Sequence, residues 1–327
     1  FFDYCLTKDK NERIRAYSRF TAQIYKEGSC LTDIVKKYVF EDENVYIKAR
    51  AEKTTVSPHV EKALFHELEV LASFAALKPS DFSEDLDVGG YFPTFESYPT
   101  DLEGEYTLRA KNIGRYGYGI FASSVMFRLS DDGRIIPIEA PDKKSIDSFV
   151  GYSEERIKVL NNTKMLIEGR PAANALLYGD AGTGKSSTVK AIANHLYADG
   201  LRLIEVRKNQ LFHLPGIMGR ISKNPLKFII FIDDLSFNSN DDNFSMLKAT
   251  LEGSAAAKAD NAVIYATSNR RHIIKESFSE REGTDIHRND TVQETLSLSE
   301  RFGLRVLFAK PEKKLYLEIV HELARRR

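Results

Sequence analysis

Gly179-Asp180-Ala181-Gly182-Thr183-Gly184-Lys185-Ser186 follows the apolar run Ala175-Leu176-Leu177-Tyr178 and leads into a stretch with helical patterning. Strand, then Gly-x-x-x-x-Gly-Lys-Ser, then helix is the context in which this spacing holds a phosphate group. The glycines let backbone N–H groups converge on an anion with no Cβ in the way. The helix beginning near Lys185 directs the positive end of its dipole at the same point. Lys185 supplies a mobile cation for the outer phosphates, and the Ser186 hydroxyl is placed to ligate Mg²⁺. With Ser187, the segment reads as a site for Mg·ATP. The alternative is a glycine-rich turn; a chance match at the four fixed positions is expected on the order of once per hundred chains of this length.

The 327 residues are enough for two domains with sizeable cores. Lys and Arg number 47 and Asp and Glu 47, so net charge argues for neither nucleic acid nor membrane as a partner. Cys5 and Cys30 are too few for a disulfide framework or a metal cluster and read as free thiols in a reducing cytoplasm. No apolar run approaches membrane-span length. The sequence starts at Phe1 rather than Met and stops at Ala-Arg-Arg-Arg, so both ends read as trimmed.

Upstream of the loop the patterning is mostly helical. Ile14, Tyr17, Phe20 and Ile24 mark one amphipathic face, and Gly28 is a plausible stop. Ser57-Pro58 starts a second helix whose stripe is Val60, Leu64, Leu68, Leu71 and Ala75. The runs 117–129 and 135–138, joined by Asp131-Asp132-Gly133, predict a hairpin. Pro141-Asp142 then places the domain boundary near 142, giving an N-terminal α+β domain over 1–142 and a second domain over 143–310. In that second domain helices alternate with strands at 174–178, 201–206, 227–234, 262–267 and 304–308. This predicts an α/β fold with a five-stranded parallel sheet between helices.

Asp233-Asp234 ends the most apolar of these strands, one strand–helix unit beyond the loop. One carboxylate there can ligate Mg²⁺ while its neighbour orients an attacking water; taken alone, such a pair is more often a cap or a turn, and the spacing from the loop reverses that. His195, His213, His272 and His287 lack metal-ligand spacing. The acidic stretch Asn238–Asn243 reads as a solvated loop.

The loop, the strand-end carboxylates and their spacing by one strand–helix unit together resemble the AAA+ ATPases. That resemblance implies Asp233 as metal ligand and Asp234 as the water-orienting carboxylate, where the family usually carries Glu. It implies Asn269, after the strand 262–267, as the residue that senses the terminal phosphate; otherwise it is a turn asparagine. Val150-Gly151-Tyr152, preceded by Phe149, is similar to the adenine-contacting segment, or else a helix lead-in. Arg301, within Ser299-Glu300-Arg301-Phe302-Gly303, stands where AAA+ proteins carry the arginine that reaches a neighbouring subunit's nucleotide; the bland alternative is a surface arginine. Ala172–Asp180, Phe231–Phe237, Tyr265–His272 and Leu296–Leu304 more closely resemble the bacterial AAA+ family catalogued as domain of unknown function 815. The resemblance runs from about Ser148 to the end and is weak over 1–115. It implies ATP and Mg²⁺ as ligands, a homo-oligomer in the full-length protein, and a helical lid of which 311–327 is only the beginning. The partner is open between protein and nucleic acid. Two other readings stay open: a nucleotide-gated loading module with little turnover, and a P-loop small-molecule kinase.

Overall fold

The computed structural model describes residues 1–83, 90–235, 242–252, 259–269 and 299–325. The chain divides into two compact units, Phe1–Ile113 and Gly114–Arg327.

The first unit is helical: α1 (Phe2–Leu6), α2 (Lys10–Glu27), α3 (Leu31–Glu41), α4 (Val45–Glu52), α5 (Pro58–Ala75), α6 (Ser80–Ser83) and α7 (Leu102–Lys111). Asp9 caps α2 by accepting the Glu12 N–H at 2.9 Å, and Gly28 ends it at φ +154°. Ser57 caps α5, with Pro58 in its first turn. Between α2, α3 and α5 lies a cavity of about 500 Å³ lined by Phe20, Ile24, Leu31, Val35, Leu68 and Phe74. Both cysteines are free thiols, Cys30 buried and Cys5 exposed.

The second unit, which the short helix α8 (Ile113–Tyr116) leads into, is built on one seven-stranded sheet. Its strands are β1 (Met126–Leu129), β2 (Ile135–Pro137), β3 (Ala175–Gly179), β4 (Leu201–Glu205), β5 (Lys227–Ile232), β6 (Ala262–Asn269) and β7 (Leu304–Phe308), in the order β2-β1-β4-β5-β6-β3-β7. The five strands expected from the alternation are β3 to β7, all parallel. The helices are α9 (Ser153–Ile167), α10 (Lys185–His195), α11 (Leu214–Ile221), α12 (Asp242–Glu252) and α13 (Lys313–Arg325). Residues 238–241 of the acidic stretch, His272 and His287 fall outside the described residues.

Two expectations are corrected here. The sheet is mixed and seven-stranded rather than five-stranded and parallel, and the chain divides after Ile113 rather than near 142. Both corrections have one cause. The hairpin does not belong with the N-terminal helices. β1 pairs in parallel with β4, Met126 opposite Leu203 and Arg128 opposite Glu205, and β2 closes antiparallel on its outer side. Arg202, only 1% exposed, holds the lead-in to the hairpin. Its guanidinium donates to the carbonyls of Phe121 (2.7 Å), Tyr197 (3.1 Å), Leu201 (2.8 Å) and Tyr116 (3.3 Å) and lies over the Tyr197 ring. A buried cation satisfied this way is costly to disturb.

β5 explains why the central strands read as unbroken apolar runs. Phe228, Ile230 and Ile232 pack on one face with Leu214, Ile217 and Ile221. Ile229 and Phe231 pack on the other with Val159, Leu177, Val189 and Ile192. Alternate residues thus bury both ways, each such side chain contributing about 1.5–3 kcal/mol. No helix among the described residues is long and apolar enough to cross a membrane.

Candidate nucleotide site

β3 lies between β6 and β7, so its last residue, Gly179, sits opposite Asn269 on one side and Phe308 on the other. β5 is the next strand beyond β6, with Ile232 opposite Ala266. Extending that register sets Asp233 beside Thr267. The carboxyl ends of three neighbouring parallel strands therefore converge on the loop, the end of an α/β sheet where ligands bind.

The loop itself turns on Gly179, Gly182 and Gly184, at φ +137°, +77° and +89°. α10 starts at Lys185 with no side-chain cap on its first turn, leaving backbone N–H groups directed at the loop. Lys185 is 7% exposed. Its ammonium donates to the carbonyls of Gly179 (3.1 Å) and Asp180 (2.7 Å) and to Asn269 Oδ1 (3.3 Å). Burial pushes this lysine below its ordinary range, against the opposing pull of Asp180, Asp234 and Asp233.

Ser186 Oγ donates to Asp233 Oδ1 at 2.6 Å. Asn269 Nδ2 donates to Asp234 Oδ1 at 2.9 Å, so one amide touches both Lys185 and Asp234. Asp234 is in the left-handed region at φ +53°, which Asp tolerates better than most residues. The cavity between these groups measures about 360 Å³, with Gly182, Gly184 and Ser187 on one side and Asp233, Thr267 and Asn269 on the other. That is within the range of ordinary ligand sites. A serine hydroxyl beside a carboxylate is a hard oxygen donor set that fits Mg²⁺.

Of the residues expected at the site, the loop, Asp233, Asp234 and Asn269 come together. Gly151 and Tyr152 approach from the β7 side. Tyr152 OH donates to the Ala309 carbonyl at 2.7 Å and its ring packs on Phe308, while the Lys310 N–H donates to Asp180 Oδ2 at 2.8 Å. Gly151 is at φ +73°, close against Leu315 and Ile319 of α13, and Val150 precedes it half-buried. Arg301 is not brought to this site. It precedes β7, at the amino end of the sheet, with the loop at the carboxyl end.

Thr267 is the residue that sequence reading passed over. It donates to Asp233 Oδ1 at 2.6 Å and accepts the Asp234 N–H at 2.9 Å. Part of the signal was available, since residues two apart on a strand share a face; which strand lies beside β6 was not. Thr267 therefore stands with Asn269, and Ser268 points the other way, donating to the Leu235 carbonyl at 2.7 Å.

No protein of established annotation matches the sequence. Among solved structures, a DnaI crystal structure is similar at 15% identity and a TM-score of 0.37, over 57% of this chain and 96% of that one. The ORC1 protein of Aeropyrum pernix in complex with DNA is similar at 14% identity and a TM-score of 0.41, over 55% of this chain and 50% of that one. The profile of the family described as "Protein of unknown function (DUF815)" matches residues 122–327. That span holds the hairpin, the loop and both strand-end carboxylates, more than half the chain, and the chain belongs to this family.

Proposed function

We propose that the chain is an ATPase that binds Mg·ATP between the loop Gly179–Ser187 and the ends of β5 and β6, and that turnover drives rearrangement of a macromolecular partner. The observation that carries this reading is the 2.6 Å contact of Ser186 Oγ with Asp233 Oδ1, directly beside the Lys185 ammonium. Ser186 and Asp233 would hold the cation, which when bound would neutralise charge on the phosphates. Lys185 and the loop N–H groups would hold the outer phosphates, where positioning and electrostatics supply most of the catalysis. Asp234, oriented by Asn269, would hold the attacking water; Val150, Gly151 and Tyr152 would lie against the base.

A second reading, a nucleotide-gated module with little turnover, is favoured by one feature. Asp234 has a short side chain, and its carboxylate is engaged by Asn269. Turnover measured with and without single-stranded DNA separates the two readings. Lys185→Ala is expected to weaken Mg·ATP binding by at least ~1.5–3 kcal/mol, the scale of a charge-assisted hydrogen bond. Asp234→Asn is expected to bind as the parent does and to turn over more slowly, because its role is confined to the transition state. Calorimetry showing parent-like affinity for Lys185→Ala would remove the assignment of the loop.

A further inference from the structure

We infer that Thr267 is the positioning residue of this site: one hydroxyl sets both strand-end carboxylates, Asp233 directly and Asp234 through its backbone. The inference rests on the Mg·ATP reading above and deepens it. Thr267 is 2% exposed, so water does not readily stand in for its side chain. A hydroxyl has one proton and two lone pairs. One lone pair of Thr267 takes the Asp234 N–H at 2.9 Å, and the proton goes to Asp233 Oδ1 at 2.6 Å. The hydroxyl is therefore fixed in orientation from both sides. The same Asp233 oxygen also accepts from Ser186 Oγ at 2.6 Å, so Thr267 and α10 hold one carboxylate oxygen between them.

Asp234 is placed less directly. Its left-handed backbone, φ +53°, is a conformation that persists in a non-glycine residue only where the surroundings over-determine it. Three hydrogen bonds from the end of β6 supply that constraint: Thr267 Oγ1 to the Asp234 N–H, the Thr267 carbonyl to the Leu235 N–H at 2.7 Å, and Ser268 Oγ to the Leu235 carbonyl at 2.7 Å. With the turn held, the Asp234 carboxylate faces Asn269. Without the Thr267 hydroxyl, the Asp234 N–H loses its acceptor and Asp233 Oδ1 loses one of its two donors, while the bonds of Lys185 to the Gly179 and Asp180 carbonyls do not involve it.

Thr267→Val keeps the branched shape and the strand preference and removes only the hydroxyl; Thr267→Ser keeps the hydroxyl. Three measurements are compared with the parent. Nucleotide affinity without Mg²⁺ is expected to stay within about threefold, and the gain in affinity on adding Mg²⁺ to shrink about tenfold in the valine variant. Turnover at saturating ATP is expected to fall about 10–100-fold with a smaller change in KM, since orientation acts on the transition state. Exchange of the Asp234 amide hydrogen, followed without nucleotide, is expected to accelerate about tenfold. Serine is expected to restore all three. If the valine variant does not fold, Thr267→Ala takes its place. A folded variant with parent-like Mg²⁺ dependence, turnover and Asp234 exchange overturns the inference, and so does a serine variant that fails to rescue. A parent that binds no Mg·ATP overturns the proposed function and this inference with it. A parent that turns over ATP beside an indifferent valine variant overturns this inference alone.

Discussion

Arg301→Ala subunits are expected to bind ATP, fail to hydrolyse it, and regain turnover when mixed with Lys185→Ala subunits. Leu304 pairs with Ala175 at the start of β3 and Phe308 with Gly179 at its end, so the length of β7 separates Arg301 from its own phosphate loop. Five residues of strand span about 16 Å, more than an arginine side chain covers. If Arg301 acts on a phosphoryl group, that group belongs to another subunit. In P-loop enzymes such an arginine is worth roughly 10³–10⁵ in rate, or about 4–7 kcal/mol of barrier. In a mixed assembly, one interface in a suitable register unites an intact loop with an intact arginine. Turnover per parent subunit is likewise expected to rise with protein concentration. Two outcomes would end this view: concentration-independent turnover down to demonstrated monomer, or no rescue in mixtures shown to co-assemble.

Gly179→Ala is expected to destabilise the second unit by about 3 kcal/mol or more, and to remove nucleotide binding with it. A Cβ at this position would lie 2.1 Å from the Phe308 carbonyl oxygen and 2.6 Å from its carbon. Those are backbone atoms of the adjacent strand and cannot rotate aside. The same oxygen accepts the Asp180 N–H at 3.1 Å, so spreading β3 from β7 also breaks the first turn of the loop. The backbone at φ +137° adds its own penalty for any L side chain. Gly182→Ala is the internal comparison: its φ is +77°, but nothing lies within 4 Å of the added carbon, so only the conformational cost of about 1–2 kcal/mol applies. Denaturant unfolding of the two variants checks the difference; equal stabilities would show that the β3–β7 approach is not as close as described.

The sequence made the loop legible because its information is local. Glycine spacing, one lysine and the flanking strand and helix all fall within about twenty residues. Asp233 was legible because a strand end shows where an apolar run stops, whereas Asn269 was pointed to by the resemblance to the AAA+ ATPases and not by its own pattern. The hairpin was misassigned for the opposite reason. Nothing in Met126–Leu129 announces that its partner is Leu203–Glu205, and Pro141-Asp142 looks like a better boundary than the real one after Ile113. Thr267 was passed over because threonine is an ordinary strand residue. Its role follows only from β6 lying between β5 and β3, a matter of strand order that a linear pattern does not carry.

The hairpin also decides how this sheet meets the rest of the cell. β4 would otherwise present a bare row of N–H and C=O groups, a template for any passing strand. β1 covers it, and β2 is only three residues long and ends in Pro137, which has no N–H to offer. A fragment cut at residue 143, where sequence alone would place the boundary, would lose that selvedge. It would also strip Arg202 of the Tyr116 and Phe121 carbonyls, leaving a desolvated cation short of acceptors. Such a fragment is expected to aggregate on expression, whereas one beginning at Gly114 stays dispersed, a difference that light scattering of the two purified pieces would register.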